Sequence, residues 1–184
     1  MANEERIVKR SDKLAFMNTG TVENPVYTRM RKFTDMSTSK NPTEYTRQYV
    51  DEDGEETDVT GYSEEKSYGF DQYTNNPVHE RIVEITDDEL KGDDAIVEIV
   101  IVDKSKQTSD GTFAARKRRY TVVPDGDGDS TDAYTYSGNF RAKGAFEKGT
   151  AKIASDGLTA TYTPSTSSVS SKSSSNNWIE MRGE

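Results

Sequence analysis

The sequence predicts a mainly β protein, a sandwich or curved sheet carrying one helix, and three observations carry that expectation. Apolar and polar residues alternate over much of the chain, which is the period of a strand with one face turned inward. Ten tyrosines and 21 threonines sit largely in these alternating runs, and both residue types suit a pleated, half-buried surface. One stretch only, beginning at Asn76, changes to helical spacing.

Taken in order, Glu44–Val50 sets Tyr45, Arg47 and Tyr49 against Thr46, Gln48 and Val50, a strand with two usable faces. Asp53-Gly54 supplies a turn, and Thr57–Tyr62 returns as the second strand of a hairpin. Ser67–Tyr73 places Tyr68, Phe70 and Gln72 on one face. Asn76 then reads as an N-cap and Pro77 as the first helical residue, where a missing N–H costs nothing. Val78, Ile82 and Ile85 follow at helical spacing through Thr86, with Leu90 closing the segment. Ala95–Asp103 is the most apolar strand and is expected at the centre, paired with Phe113–Val123 through the Lys104–Gly111 connection. Pro124–Gly128 reads as a loop and Ala133–Arg141 as a strand. Thr150–Ile153 and Leu158–Tyr162 form a last hairpin around Ser155-Asp156-Gly157.

Leu, Ile, Val and Phe number 30 of 184 residues, below the roughly one-fifth that flags disorder. The net charge of −9 is modest for this length, and the patterned tyrosines and threonines argue for folding. A chain with so little apolar area has little to offset its ordering entropy. The expectation is therefore a β-rich protein that gains burial by assembling with copies of itself.

The same counts exclude several classes. Without cysteine there is no disulfide framework, thiol nucleophile or Cys-ligated metal site, and one histidine cannot build a His-based metal set. No apolar run approaches about 20 residues and Met1–Arg10 is charged throughout, so neither a transmembrane helix nor a signal peptide is expected. The acidic balance argues against holding nucleic acid by phosphate neutralisation.

Charge is unevenly spread. Asp51–Glu65 carries eight acidic residues and no basic one, Arg116–Arg119 is wholly basic, and Thr163–Asn177 has eight serines in fifteen residues. The last has the composition of a flexible linker. On a strand the basic run splits, with Arg116 and Arg118 on one side and Lys117 and Arg119 on the other. Such stripes suit acidic neighbours on adjacent subunits better than a nucleic acid, and the Asp51–Glu65 stretch is the obvious opposite charge.

Asp125, Asp127 and Asp129 are candidate ligands for a divalent cation, since alternate aspartates offer hard oxygens at calcium-loop spacing. The loop departs from that pattern at its sixth position, Ser130 instead of glycine, and at its twelfth, Tyr136 instead of glutamate. The simpler reading, and the favoured one, is a solvated turn between two strands. His79, in the first helical turn, reads as a surface or cap residue. Paired carboxylates lack the context of a pocket, no glycine loop cradles phosphate, and no catalytic constellation emerges.

Several strings in one order carry a family likeness: Lys9-Arg10-Ser11-Asp12, Phe16–Gly20, Phe33–Ser37, Asn41–Tyr45, the Tyr68–Tyr73 strand, Asn76-Pro77-Val78, Glu98–Asp103 and Val123–Asp129. Over residues 6 to 162 the chain resembles the major tail (tail tube) proteins of phages and prophages of Gram-positive bacteria. That resemblance implies a β-sandwich or barrel-like core with one flanking α-helix and a long β-hairpin loop. It further implies hexameric rings stacked into a hollow tube, through which DNA passes without specific binding.

In that mapping residues 1–16 are an N-terminal arm and 17–162 the tube domain, with 42–66 the long hairpin and 77–90 the helix; 163–184 is a Ser-rich tail. The partners implied are copies of the chain itself, with tail terminator, tape measure and distal tail proteins. No cofactor and no membrane are implied, and the location is the virion tail after synthesis in the host bacterial cytoplasm. The inter-subunit candidates are Tyr45, Arg47, Tyr49, Asp51, Asp53, Glu55, Glu56, Arg116 and Arg118. The rival readings are a calcium-dependent β-sandwich binding module using Asp125–Asp132, and a hydrolase built on scattered carboxylates. An acidic lumen would let DNA slide, because like charge repels phosphate.

Overall fold

The structure, a computed structural model, describes residues 5–165 except 52, 109 and 110. The expected Ser-rich tail from Thr166 onward lies outside the described residues. Arg10–Asp12 form a turn of 3-10 helix. The strands are β1 (Lys13–Asn18), β2 (Tyr27–Arg29), β3 (Phe33–Asp35), β4 (Thr38–Ser39), β5 (Pro42–Gln48), β6 (Glu55–Tyr62) and β7 (Glu65–Asp71). The helix α1 (Pro77–Asp87) follows, and then β8 (Ile96–Gln107), β9 (Phe113–Asp127), β10 (Thr135–Ile153) and β11 (Thr159–Pro164).

All pairings are antiparallel, and β11, β2, β1, β8, β9 and β10 close on themselves through the β10–β11 pair as a six-stranded barrel. The mainly β barrel with one flanking helix and a long hairpin is the expected fold class. The strand β10 belongs to two layers. Its first half pairs with β7, its second half with β11, and β9 runs beside both halves with register shifts at Ser137/Gly138 and Lys143/Glu147. Those bulges bend the strand out of the barrel wall and start a second layer of β7, β3 and β4.

Two cores result, one on each face of the shared strands. Inside the barrel each of the six strands contributes: Phe16, Tyr27, Val100 and Val102, Ala115, Ala151 and Ala160. Alanine at three of these positions fits the narrow interior of a small barrel. On the outer face Val78, Ile82 and Ile85 of α1 pack on Met17, Tyr68, Phe70, Val97, Ile99, Tyr120 and Phe140. Hence β8 reads as a nearly continuous apolar run: Val97 and Ile99 face the helix while Val100 and Val102 face the barrel.

The helix starts as expected, with the Asn76 side chain accepting from the Val78 N–H at 3.2 Å. It ends at Asp87, and Leu90 reaches the same core from beyond the helix. Fully burying its three aliphatic side chains contributes on the order of 1.5–3 kcal/mol each.

Four expectations are corrected. Pro124–Gly128 is not a loop: β9 continues to Asp127, and Asp125 is the extra residue of the bulge, a position where a strand tolerates the adjacent proline. Ala133–Arg141 and Thr150–Ile153 are parts of one strand, β10, joined through Gly144 in the left-handed region (φ 79°). Lys13–Phe16, grouped with an arm, lies in β1, and the Phe16 side chain is fully buried in the barrel. His79 is fully buried and not at the surface. Its Nδ1 accepts the Tyr73 N–H at 3.2 Å and its Nε2 donates to the Arg31 carbonyl at 3.0 Å. Phe70 and Phe33 pack on its ring. Burial lowers its pKa against the raising effect of the Arg31 bond, and both ring nitrogens are committed to a neutral, structural role.

Candidate assembly surface

The hairpin β5–β6 stands apart from both cores. The strands end at Gln48 and resume at Glu55, with the turn at Val50–Asp51 and not at the expected Asp53-Gly54; in their register Tyr45 faces Asp58, Thr46 faces Thr57, Arg47 faces Glu56 and Gln48 faces Glu55. The Thr46 and Thr57 hydroxyls lie 3.1 Å apart. On the opposite face Arg47 donates to the Tyr45 hydroxyl at 3.0 Å and lies over the Tyr49 ring. None of the side chains in the two strands is buried, and neither strand pairs with the barrel sheet.

Tyr45, Tyr49, Val50, Val59 and Tyr62 are all exposed large apolar groups. A two-stranded hairpin without cover is marginal in water, and among the described residues the apolar side chains it displays are not buried. Its 21 residues from Pro42 to Tyr62 hold seven acidic and one basic residue. Their net charge is therefore −6, two-thirds of the −9 of the whole chain.

The root of the hairpin is anchored by charge. Asn41, in the left-handed region (φ 42°) that asparagine tolerates, and Ser63 exchange two hydrogen bonds of 3.1 Å. Next to them the buried Glu64 carboxylate accepts the Tyr120 hydroxyl at 2.5 Å and pairs with Lys66 at 2.9 Å. It also pairs with Lys40, and Arg118 lies 3.7 Å away. Burial alone would raise the Glu64 carboxyl, but the bonds from Lys40, Tyr120 and Lys66 outweigh it and hold the pKa at about 2. Lys66 is itself lowered, first by burial and then by the neighbouring Lys40 and Arg118 charges, despite its bond to Glu64. The two directions agree physically, because one carboxylate serves three cations.

The basic run divides between the two faces as strand geometry requires. Arg118 donates to the Gly144 carbonyl at 2.9 Å beside Glu64, and Arg116 stacks over Phe146. Lys117 points the other way, to Glu147 (3.2 Å) and Glu98 (3.5 Å), and Glu98 also accepts the Tyr27 hydroxyl. The charge partner of Arg118 thus comes from the acidic stretch of its own chain.

Tyr45, Arg47, Tyr49, Asp51, Asp53, Glu55 and Glu56 all lie on the exposed hairpin, whereas Arg116 and Arg118 lie on β9 in the barrel wall. Asp127 accepts the Tyr134 hydroxyl and Asp129 that of Thr135, at 3.0 Å for the latter. Among the described residues no three His, Cys, Asp or Glu side chains are grouped to hold a metal ion. The Glu64 anchor escaped the sequence reading, yet it left a signal: the alternation of Tyr68 and Phe70, run back one step, puts Lys66 on the buried face, where a lysine requires a carboxylate.

No protein-family model matches the chain, and no curated protein matches it. Solved structures similar to the chain include two that share its fold. One is a chain of the virion of a native gene transfer agent (GTA) particle, with a TM-score of 0.52 and 12% identity, over 76% of this chain and 97% of that one. The other is from the tail of an empty GTA particle, obtained by helical refinement with C6 symmetry. Its TM-score is 0.54 and its identity 11%, over 75% of this chain and 96% of that one. The class defined is a β-barrel domain whose fold is shared with those two chains, with a hairpin left outside both of its cores.

Proposed function

We infer that the chain is a structural, non-enzymatic subunit of a phage-like tail tube. Copies close side by side into a hexameric ring, rings stack into a hollow conduit, and DNA passes through without being specifically held. The observation that carries this reading is the uncovered β5–β6 hairpin, which leaves polar edges and apolar side chains for a neighbour to bury. The fold shared with a chain of a C6-symmetric tail supports it, as does the likeness of the sequence to tail tube proteins of Gram-positive phages. Tail terminator, tape measure and distal tail partners, and a place in the virion after synthesis in the host cytoplasm, follow from the same reading. The hairpin residues Tyr45 to Glu56 and the exposed Arg116 supply inter-subunit contacts.

Negative-stain microscopy and sedimentation of the purified chain, with and without EDTA, test the proposal. Tubes with a regular axial repeat, unaffected by EDTA, are expected. A chain that stays monomeric when concentrated, or assembles only with calcium, refutes it.

A further inference from the structure

One imidazole ties together two tight connections of the outer layer. His79, in the first turn of α1, is fully buried. Its Nδ1 holds the Tyr73 N–H, at 3.2 Å, on the link from β7 to α1. Its Nε2 holds the Arg31 carbonyl, at 3.0 Å, on the link from β2 to β3. Each link carries a residue in the left-handed region, Lys32 at φ 63° and Asn75 at φ 58°, and for the lysine that conformation is costly. We propose that His79 is a proton-operated latch: a proton on Nδ1 frees both links and uncovers the Phe33–Phe70 seam while the barrel stays closed.

The polarity of its partners leaves the ring one closed state. A backbone N–H only donates and a carbonyl only accepts, so Nδ1 is bare and Nε2 carries the proton. A second proton would point at the Tyr73 N–H, break that bond and set a charge between the Phe33 and Phe70 rings. The ionisable residues on the elements around the ring are Arg31 and Lys32 on one link, Asp35 in β3, Asp71 in β7, Tyr73 on the other link and Glu80 beside it. Among the described residues, none of these side chains bonds to or pairs with the imidazole. Lys32, over the Tyr73 ring at 5.3 Å, adds positive charge, and so does the N-terminal end of the α1 dipole. Burial accordingly lowers the His79 pKa from its ordinary 6.5, with the Arg31 bond working against it.

Release is local for a structural reason. The strand β3 has three residues and is joined to β7 across a register shift. The barrel interior around Phe16, Val100 and Val102 lies on the other face of the shared strands and makes no use of the imidazole. Short segments with few buried contacts open ahead of the rest of a fold.

Amide hydrogen exchange on the monomer tests the latch independently of the tube reading. From pH 7 to about pH 5.5 the opening constant at Tyr73, corrected for intrinsic rate, should rise about three- to eightfold, because the freed imidazole titrates near 6.5. The amides of β8 should open at least about tenfold more rarely at both pH values. In His79→Gln, which takes up no proton, the Tyr73 constant should not change over this range.

A Tyr73 constant that is independent of pH in the natural chain overturns the latch. So does one equal to that of β8, which would mean that the links open only with the whole fold. A pH dependence that persists in His79→Gln assigns the proton to another group and also overturns it. If that variant does not fold, the ring nitrogen-15 shifts of the natural chain decide. Nδ1 must be bare in the closed chain at both pH values, and an Nδ1 protonated at about pH 5.5 with Tyr73 still protected overturns the proposal.

Discussion

Replacing Glu64 by glutamine keeps the shape of the side chain while removing the carboxylate that pairs with Lys40, Lys66 and Arg118. The carboxyl is held at about 2 against an ordinary value of 4.5, a difference worth about 3 kcal/mol. That agrees with the 3–5 kcal/mol typical of breaking one side of a buried ion pair. For a domain of this size the melting temperature should fall by roughly 6–12 °C.

The pH dependence has a definite sign. On acidification the unfolded carboxyl takes up its proton first, near 4.5, so this contribution is complete above that pH and is lost as pH falls towards about 2. His79 acts in the same direction at higher pH. Its lowered pKa means that the unfolded chain binds a proton first below about 6.5, and stability declines from there.

Urea unfolding of natural and Glu64→Gln monomers across pH separates the two, because the His79 contribution is common to both proteins and cancels in the difference. The difference should be near 3 kcal/mol at pH 7 and shrink only below about pH 4.5. A difference below about 0.5 kcal/mol at pH 7, or one independent of pH in the acid range, would show a solvated pair of the ordinary surface kind and refute the anchoring role.

Two further changes probe the barrel. Phe16→Ala removes a fully buried ring from its interior and should cost about 3–5 kcal/mol in urea unfolding; a loss under about 1 kcal/mol would mean that the interior refills or is wet. Gly149→Val introduces a Cβ that would stand 2.3 Å from the Thr163 carbonyl oxygen and 2.6 Å from the Tyr162 ring. It should therefore part β11 from β10 at a cost of about 1–3 kcal/mol, read as faster hydrogen exchange over Thr159–Tyr162, and unchanged exchange there would count against closure of the barrel by this pair.

Replacing Pro42–Tyr62 by a short Gly-Asn link should leave monomer melting within about 1 kcal/mol of the natural chain, since the hairpin buries nothing in either core. The same variant should form no tubes. Tubes from it would remove the main support for the proposed function.

Local pattern determined much of this protein. The Asn76-Pro77 cap and the spacing of Val78, Ile82 and Ile85 specify a helix wherever the chain finds itself, because caps and periodicity act within a few residues. The alternation around Tyr45 likewise sets the hairpin and its two faces, although its turn falls at Val50–Asp51 instead of Asp53-Gly54. The apolar run from Ile96 to Val102 announced a strand covered on both sides.

What tertiary structure decided is pairing. The short strands β2, β3 and β4 have two or three residues each and no period of their own to read; they exist because β1, β7 and β11 offer them partners. The continuity of β10 through the Lys143–Glu147 bulge depends on β9 running alongside it, and closure of the barrel depends on two strands meeting over Gly149. His79 and Glu64 show the same division for side chains. The sequence supplies an imidazole in a first helical turn and a carboxylate in an acidic stretch, but burial and partners alone make one a neutral packing group and the other the anchor of a hairpin.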